Sequence, residues 1–100
     1  MKKVVACLAL AASFVAVPAF ANQQLAQQKN CLSCHSVDKK IVGPAYKDIA
    51  AKYKGKNAEA QLVQKVLKGG GGVWGPVLMP ANAQVSEAEA KTLVKWVLSL

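Results

Sequence analysis

The chain has 100 residues, 53% of them hydrophobic, and its 13 lysines, five acidic residues and absence of arginine give a formal net charge of +8. This length allows one domain and excludes a multi-domain enzyme. A domain of this size usually needs a disulfide, a metal or a cofactor to be stable.

The first 21 residues have the pattern of an export signal. Two lysines precede an apolar run over residues 4–17, and an A-x-A cleavage pattern follows at residues 19–21. The run is too short to be a permanent membrane anchor. We therefore predict a cleaved signal peptide at 1–21 and one mature domain at 22–100. Removal of the signal peptide takes away two lysines, so the mature chain carries a formal net charge of +6.

Four helices and no strands are predicted in the mature chain, because its apolar residues recur at helical spacing and do not alternate. The first helix covers roughly residues 23–32 and leads directly into a pair of cysteines. The second begins at Pro44, a favoured first helical position, and ends before Gly55. Its apolar face comprises Tyr46, Ile49, Ala50 and Tyr53.

The third helix is predicted to have Asn57 as its N-cap and to end at Gly69. Residues 70–85 are then predicted to form a wrapping loop, because glycine and proline are too frequent there for a regular element. The buried face of the third helix comprises Leu62, Val63, Val66 and Leu67.

The last helix begins with a capping box from Ser86 to Glu89 and is predicted to run to the chain end. With no strand in the chain, a thioredoxin-like sheet fold is excluded. The buried face of this helix comprises Ala90, Leu93, Val94 and Val97, with Trp96 beside it.

The segment Cys31-Leu32-Ser33-Cys34-His35 has the C-x-x-C-H pattern, which is typical of covalent attachment of c-type haem. On a helical turn, two thiols three residues apart can reach the two vinyl groups of the haem, while the next imidazole points at the iron. His35 is the only histidine of the chain, so a second histidine from the same molecule cannot bind the iron.

Three other interpretations of this segment were weighed. A structural zinc site needs four ligands, and the mature chain offers two cysteines and one histidine without a second cluster. A redox-active dithiol lacks its βαβ context. A plain disulfide with a bystander histidine is compatible with export, but so short a loop would stabilise the fold little.

Met79 is the only methionine of the mature chain and the candidate for the second axial ligand. It lies between a glycine- and proline-rich loop and Pro80, which disfavours helical geometry at Met79. A lone methionine is more often a core residue, and that alternative stays open. Ligation by histidine and methionine raises the haem potential, which suits an electron acceptor in an exported respiratory chain.

Four segments together resemble the small class I bacterial cytochromes c of the c551/c8 type, over nearly all of the mature chain. The resemblance implies an all-α cytochrome c fold, with about four helices around one covalently bound haem c. The segments are C-L-S-C-H at 31–35, V-G-P-A-Y-K-D at 42–48, V-W-G-P at 73–76 with M-P at 79–80, and A-K-T-L-V-K-W-V-L-S at 90–99.

The resemblance also implies roles for individual residues. Cys31 and Cys34 would form thioethers, and His35 and Met79 would bind the iron. Pro44 would offer its backbone carbonyl to the second nitrogen of His35, Trp74 would contact a haem propionate, and Asn82 would donate a hydrogen bond near the Met79 sulfur. From the residues alone, Pro44 could equally begin a helix, Trp74 could pack, and Asn82 could shape a turn.

These observations predict a periplasmic, monomeric, soluble one-electron carrier between respiratory redox partners, and not an enzyme, because two axial ligands leave no open position on the iron. The alternatives are a haem protein that binds a small ligand or peroxide after Met79 dissociates, and a disulfide-containing helical binding module. Nucleic-acid binding is excluded by the absence of arginine, of a recognition motif and of an intracellular location. A lysine-rich segment is expected to steer the protein to acidic docking surfaces; it contains Lys39, Lys40, Lys47, Lys52, Lys54 and Lys56.

Overall fold

The computed structural model describes residues 19–100, in which every regular element is a helix. The elements are α1 (Ala19–Gln28), a single 3₁₀ turn (Cys31–Ser33), α2 (Tyr46–Tyr53), α3 (Glu59–Lys68) and α4 (Glu87–Leu98). The predicted all-α class with four helices is therefore confirmed. The predicted leader lies outside the described residues except for its last three positions, so its cleavage stays a prediction.

Helix α4 is the centre of the fold, because α1, α2 and α3 each pack against it. Its predicted capping box is present: the Ser86 hydroxyl accepts from the Glu89 backbone N–H, and the Glu89 carboxylate accepts from the Ser86 backbone N–H. Such a cap contributes about 1 kcal/mol to stability. The predicted apolar face and Trp96 are all buried. Within residues 19–100, no helix is long and apolar enough to cross a membrane.

The contact between the terminal helices is built on small side chains. Ala26 of α1 and Ala90 of α4 are both completely buried in the core cluster. Small residues let two helix backbones approach closely, and dense packing of this kind compensates for the absence of a large side chain. Helix α1 therefore packs on α4 through small residues.

Helix α1 ends four residues before the predicted boundary at Leu32. Asn30 has φ 64°, a left-handed conformation that breaks the helix. The cysteine pair consequently lies on a separate 3₁₀ turn and not on a continuation of α1. The prediction of one continuous helix into the cysteines is wrong.

The starts of α2 and α3 also differ from the sequence prediction. Helix α2 begins at Tyr46 and not at Pro44, because Ala45 is extended, and the Tyr46 and Lys47 amides donate to the carbonyls of Ser36 and Val37 (2.8 and 3.1 Å). Asn57 does not cap α3. It has φ 53°, and Ala58 occupies the N-cap position without a side-chain bond. The predicted end of α3 at Gly69 is confirmed.

Candidate functional site

One cavity of about 640 Å³ opens between α2, α3, α4 and the loops that connect them. Its volume lies within the range of sites that bind a cofactor-sized molecule. The cavity brings together seven residues singled out from the sequence, namely Cys31, Cys34, His35, Pro44, Trp74, Met79 and Asn82. Residues up to 51 positions apart in the chain thus share one site.

The two cysteines are positioned by the 3₁₀ turn. The amides of Cys34 and His35 both donate to the Cys31 carbonyl, at 3.2 and 3.0 Å, and this tight turn presents both thiols to the cavity. Both cysteines are free and half-buried. Two unbonded thiols on one turn are available for two separate covalent bonds to the same molecule.

The Cys31 thiol is half-buried. Burial raises its pKa, and a hydrogen bond with the Tyr46 side chain offsets this only in part. Redox-active cysteines instead have a lowered pKa, so the direction of this shift does not support the dithiol interpretation. Among residues 19–100, no three His, Cys, Asp or Glu side chains are grouped as a metal site.

His35 is held in one tautomer. Its Nδ1 lies 2.8 Å from the Pro44 carbonyl oxygen, and the side chain is buried. Because a carbonyl can only accept a hydrogen bond, Nδ1 is the donor, so in the neutral imidazole Nε2 is the nitrogen with the free lone pair. A neutral imidazole with a fixed second nitrogen is the form that binds a metal ion.

Two neighbours hold the His35 ring on its faces. Tyr46 stacks on it with a centroid separation of 5.0 Å and an interplanar angle of 19°, and Trp96 packs edge-on against Tyr46 at 5.4 Å. The backbone of Gly43 lies close to the imidazole ring, since a Cβ added to Gly43 would lie 2.6 Å from His35 Cε1. The imidazole therefore has little room to rotate.

Met79 lines the same cavity from the loop between α3 and α4. Its backbone forms two hydrogen bonds with Gly70, from Gly70 N to Met79 O (3.0 Å) and from Met79 N to Gly70 O (2.8 Å). This isolated antiparallel bridge gives Met79 an extended backbone at a fixed place, half-buried in the loop. The methionine is thus not a core residue on a buried helix face.

Trp74 and Asn82 lie at the edge of the cavity. Trp74 is 42% exposed, and the Lys52 ammonium lies 5.5 Å above its ring, a cation–π contact. The Asn82 side-chain amide donates to the carbonyls of Val66 (2.8 Å) and Pro80 (3.4 Å). A bond from this amide to the Met79 sulfur is not among the described contacts, so that role stays a prediction.

Two features of the site are not among the sequence predictions: the presence of Lys65 and the stacking of Tyr46 on His35. Lys65 is half-buried on the cavity face of α3, with its ammonium 2.6 Å from the position that a Cβ on Gly70 would take. Its position three residues after Leu62 already places it on the apolar face of α3, and that was the available signal. Tyr46 was predicted only as a core residue, because no sequence pattern indicates that it stacks on His35.

The mouth of the cavity is apolar, and Lys40 and Lys52 lie beside it. Four of the five acidic residues of the chain form ion pairs. Within residues 19–100, most lysines of the lysine-rich segment therefore have no acidic partner. Lys47 is the exception, since it pairs with Asp38 at 2.7 Å. The exposed apolar rim consists of Ile41, Val42, Val73, Trp74, Val77 and Leu78, and the unpaired lysine group of Lys39, Lys40, Lys52, Lys54 and Lys56.

Known proteins are similar to this chain over its whole described length. The family model "Cytochrome c" matches residues 21–100. Cytochrome c-551 of Pseudomonas aeruginosa is 58% identical over 76 residues, covering 75% of this chain and 72% of that protein. Cytochrome c-551 of Allochromatium vinosum is 53% identical over 94 residues, covering 93% of this chain and 100% of that protein.

A solved structure agrees with the sequence relatives. The crystal structure of Nitrosomonas europaea cytochrome c552 superposes with a TM-score of 0.75 at 49% identity, and the match covers 78% of this chain and 98% of the other. Relatives of this kind carry covalent haem c, and the C-x-x-C-H turn of this chain has the corresponding spacing. The fold, the thiol pair beside a fixed histidine and these similarities place the chain in the cytochrome c family, among its small class I members.

Proposed function

We propose that this protein is a periplasmic monohaem cytochrome that carries one electron at a time between respiratory redox partners. The observation that carries the proposal is the His35 imidazole, whose Nδ1 proton is held by Pro44 and whose Nε2 is free, beside two free thiols in one cavity. Relatives named cytochrome c-551 and c-552 are electron carriers of this kind.

The donor set fits a haem. Cys31 and Cys34 would each add their thiol to a vinyl group, and His35 and Met79 would be the axial ligands of the iron. The haem would supply a one-electron redox centre. It would also supply the apolar core that a chain of this size lacks. The Lys65 ammonium and the Trp74 indole at the cavity are suited to its carboxylate groups.

Two axial side chains support electron transfer and not catalysis at the iron. With His35 and Met79 both bound, no position is open for a substrate or a gas. The two backbone bonds between Met79 and Gly70 support a methionine that stays in place. The mixed ligation by nitrogen and sulfur raises the potential of the iron.

The cavity mouth is a suitable docking surface for an acidic partner. The apolar rim would exclude water at the point of electron transfer, and the unpaired lysine group, of which Lys40 and Lys52 lie beside the rim, would attract negative charge. We propose that the protein meets its donor and its acceptor there as a monomer. Residues 1–21 would direct export, and they would be removed before or during haem attachment.

Haem attachment and ligation can be tested on the wild-type protein. We expect a haem spectrum that survives acid-acetone extraction, because thioethers do not dissociate. We also expect a charge-transfer band from the methionine sulfur to ferric iron. Loss of all haem on extraction would contradict covalent attachment, and a ferric spectrum without the band would contradict ligation by Met79.

Electrostatic steering can be tested with small redox reagents of opposite charge. Rising ionic strength should slow oxidation by ferricyanide, an anion, and should speed oxidation by a cationic cobalt complex. Lys40→Gln with Lys54→Gln should weaken both dependences. Lys91→Gln is the matched control, because Lys91 pairs with Glu87 on α4, away from the cavity. Rates that do not change with salt would exclude steering.

A further inference from the structure

The segment that follows Met79 is held to α3 and to the end of α1 by side-chain hydrogen bonds. Asn82 donates to the Val66 carbonyl of α3, and Val85 is buried in the core, with its amide on the Asn82 carbonyl. Gln84 lies between these two residues and contacts the end of α1. The position of Met79 in the cavity therefore depends on bonds made several residues further along the chain.

Gln84 and Lys29 form a reciprocal pair across 55 positions of sequence. The Gln84 Nε2 donates to the Lys29 carbonyl at 3.0 Å, and the Lys29 Nζ donates to the Gln84 carbonyl at 3.2 Å. The Lys29 ammonium also pairs with Glu89 at 3.0 Å, where both side chains are at least two-thirds buried. Through Glu89, the pair is continuous with the capping box of α4.

The same Gln84 amide orients Asn82. It donates to Asn82 Oδ1 at 3.1 Å, which leaves the Nδ2 end of Asn82 directed at Val66. Because both groups of the Asn82 amide then have partners, the side chain cannot flip without losing hydrogen bonds. Gln84 thus links the end of α1 to the turn that contains Pro80 and Asn82.

We infer that Lys29 and Gln84 are positioning residues that keep Met79 on the iron, by binding the segment 80–85 to α1 and α4. The inference rests on the proposed ligation by Met79. Upstream, the Gly70 bridge holds the methionine from one side. Downstream, the Gln84 and Lys29 bonds hold the other side. Release of Met79 then requires that at least one of these two attachments opens.

The test is imidazole binding to the ferric holoprotein, followed by loss of the methionine charge-transfer band. Imidazole binds only when Met79 has left, so its apparent affinity reports how easily the methionine leaves. One net hydrogen bond changes an equilibrium by roughly two- to tenfold. We expect Gln84→Ala and Lys29→Met each to lower the Kd for imidazole by about three- to tenfold.

Two control variants distinguish a positioning role of these residues from a general loss of protein stability. Gln64→Ala removes an exposed glutamine on α3 and should leave the Kd unchanged. Ala60→Gly weakens α3 at an exposed position without touching the segment, and it should lower stability but not the Kd. The inference is overturned if Gln84→Ala and Lys29→Met bind imidazole like Gln64→Ala, or if Ala60→Gly lowers the Kd equally. A wild-type protein without the band would instead refute the ligation itself.

Discussion

Replacing Gly69 by alanine is expected to lower the free energy of unfolding of the holoprotein by about 3–5 kcal/mol and to remove Met79, the proposed ligand, from the iron. Gly69 has φ 73° and ψ −165°, a backbone conformation that is essentially restricted to glycine. A Cβ at this position would overlap the Met79 carbonyl oxygen and would lie 2.8 Å from the Ala81 nitrogen. These are backbone atoms, so no side-chain rotation can relieve the contact.

The substitution also affects the proposed ligand, because the backbone atoms that a Cβ on Gly69 would contact belong to the segment that positions Met79. The next residue, Gly70, makes both backbone bonds to Met79, and displacing residues 79–81 would break that bridge. A small domain has a total stability of about 5–15 kcal/mol, so the expected loss is a large fraction of it. Urea unfolding measures the stability, and the methionine charge-transfer band reports the ligand.

Gly72→Ala is the matched control in the same glycine run. Gly72 also has a positive φ, 93°, but nothing lies within 4 Å of its added Cβ. Its replacement should cost only the backbone strain, about 1–3 kcal/mol, and should leave the band in place. Equal losses of stability in the two variants, with the band retained in both, would show that Gly69 does not hold Met79.

The parts of the fold that the sequence predicted are those set by local chemistry. The capping box of α4 depends only on Ser86 and Glu89, which are three residues apart, and the structure has it as predicted. The end of α3 follows from Gly69 and its conformational freedom. The C-x-x-C-H pattern likewise needs only five consecutive residues, and the family similarity confirms the cofactor that it predicts.

The predictions that were wrong concern residues whose conformation depends on partners distant in sequence. Pro44 has the local properties of a helix start, yet α2 begins at Tyr46, because the Ser36 and Val37 carbonyls accept the first free amides of that helix. This shift leaves the Pro44 carbonyl outside the helix, where it accepts a hydrogen bond from His35 Nδ1. The boundary error and the site geometry thus have one cause, which no helical periodicity can show.

The site contained more than its sequence motif for the same reason. Tyr46 stacks on His35 across a separation of 11 positions, and Lys65 meets Gly70 through the curvature of the loop after α3. Neither contact has a fixed spacing that a pattern could detect. The residues proposed to hold the haem therefore come from the sequence, whereas Tyr46 and Lys65 beside them required the structure.

Replacing Gly43 by alanine is expected to raise the reduction potential and to destabilise the holoprotein by about 1–3 kcal/mol. Unlike Gly69, Gly43 does not have a left-handed φ, so the effect is purely steric. The new Cβ would lie 2.6 Å from His35 Cε1 and 2.9 Å from Nδ1. The Gly43 backbone cannot withdraw easily, because its amide donates to the Cys34 carbonyl at 2.7 Å.

The imidazole must then move, and its hydrogen bond to the Pro44 carbonyl is the contact that it loses, since Tyr46 stacks on the ring. That bond raises the basicity of a metal-bound histidine. When the histidine becomes less basic, the ferric state loses more stabilisation than the ferrous state does, so the reduction potential rises. If the free energy of this hydrogen bond differs by about 0.5–1.5 kcal/mol between ferric and ferrous protein, the reduction potential shifts by about 20–60 mV for one electron.

A spectroelectrochemical titration measures this shift, and Gly55→Ala is its control. Gly55 has φ 74° and open space around its Cβ, in the connection between α2 and α3. Its replacement should destabilise the protein through backbone strain and leave the potential unchanged, because it lies far in sequence from any proposed ligand. An unchanged potential in Gly43→Ala, or equal shifts in both variants, would contradict the argument. A rise confined to Gly43→Ala would connect the steric fit of one glycine to the potential at which this protein accepts its electron.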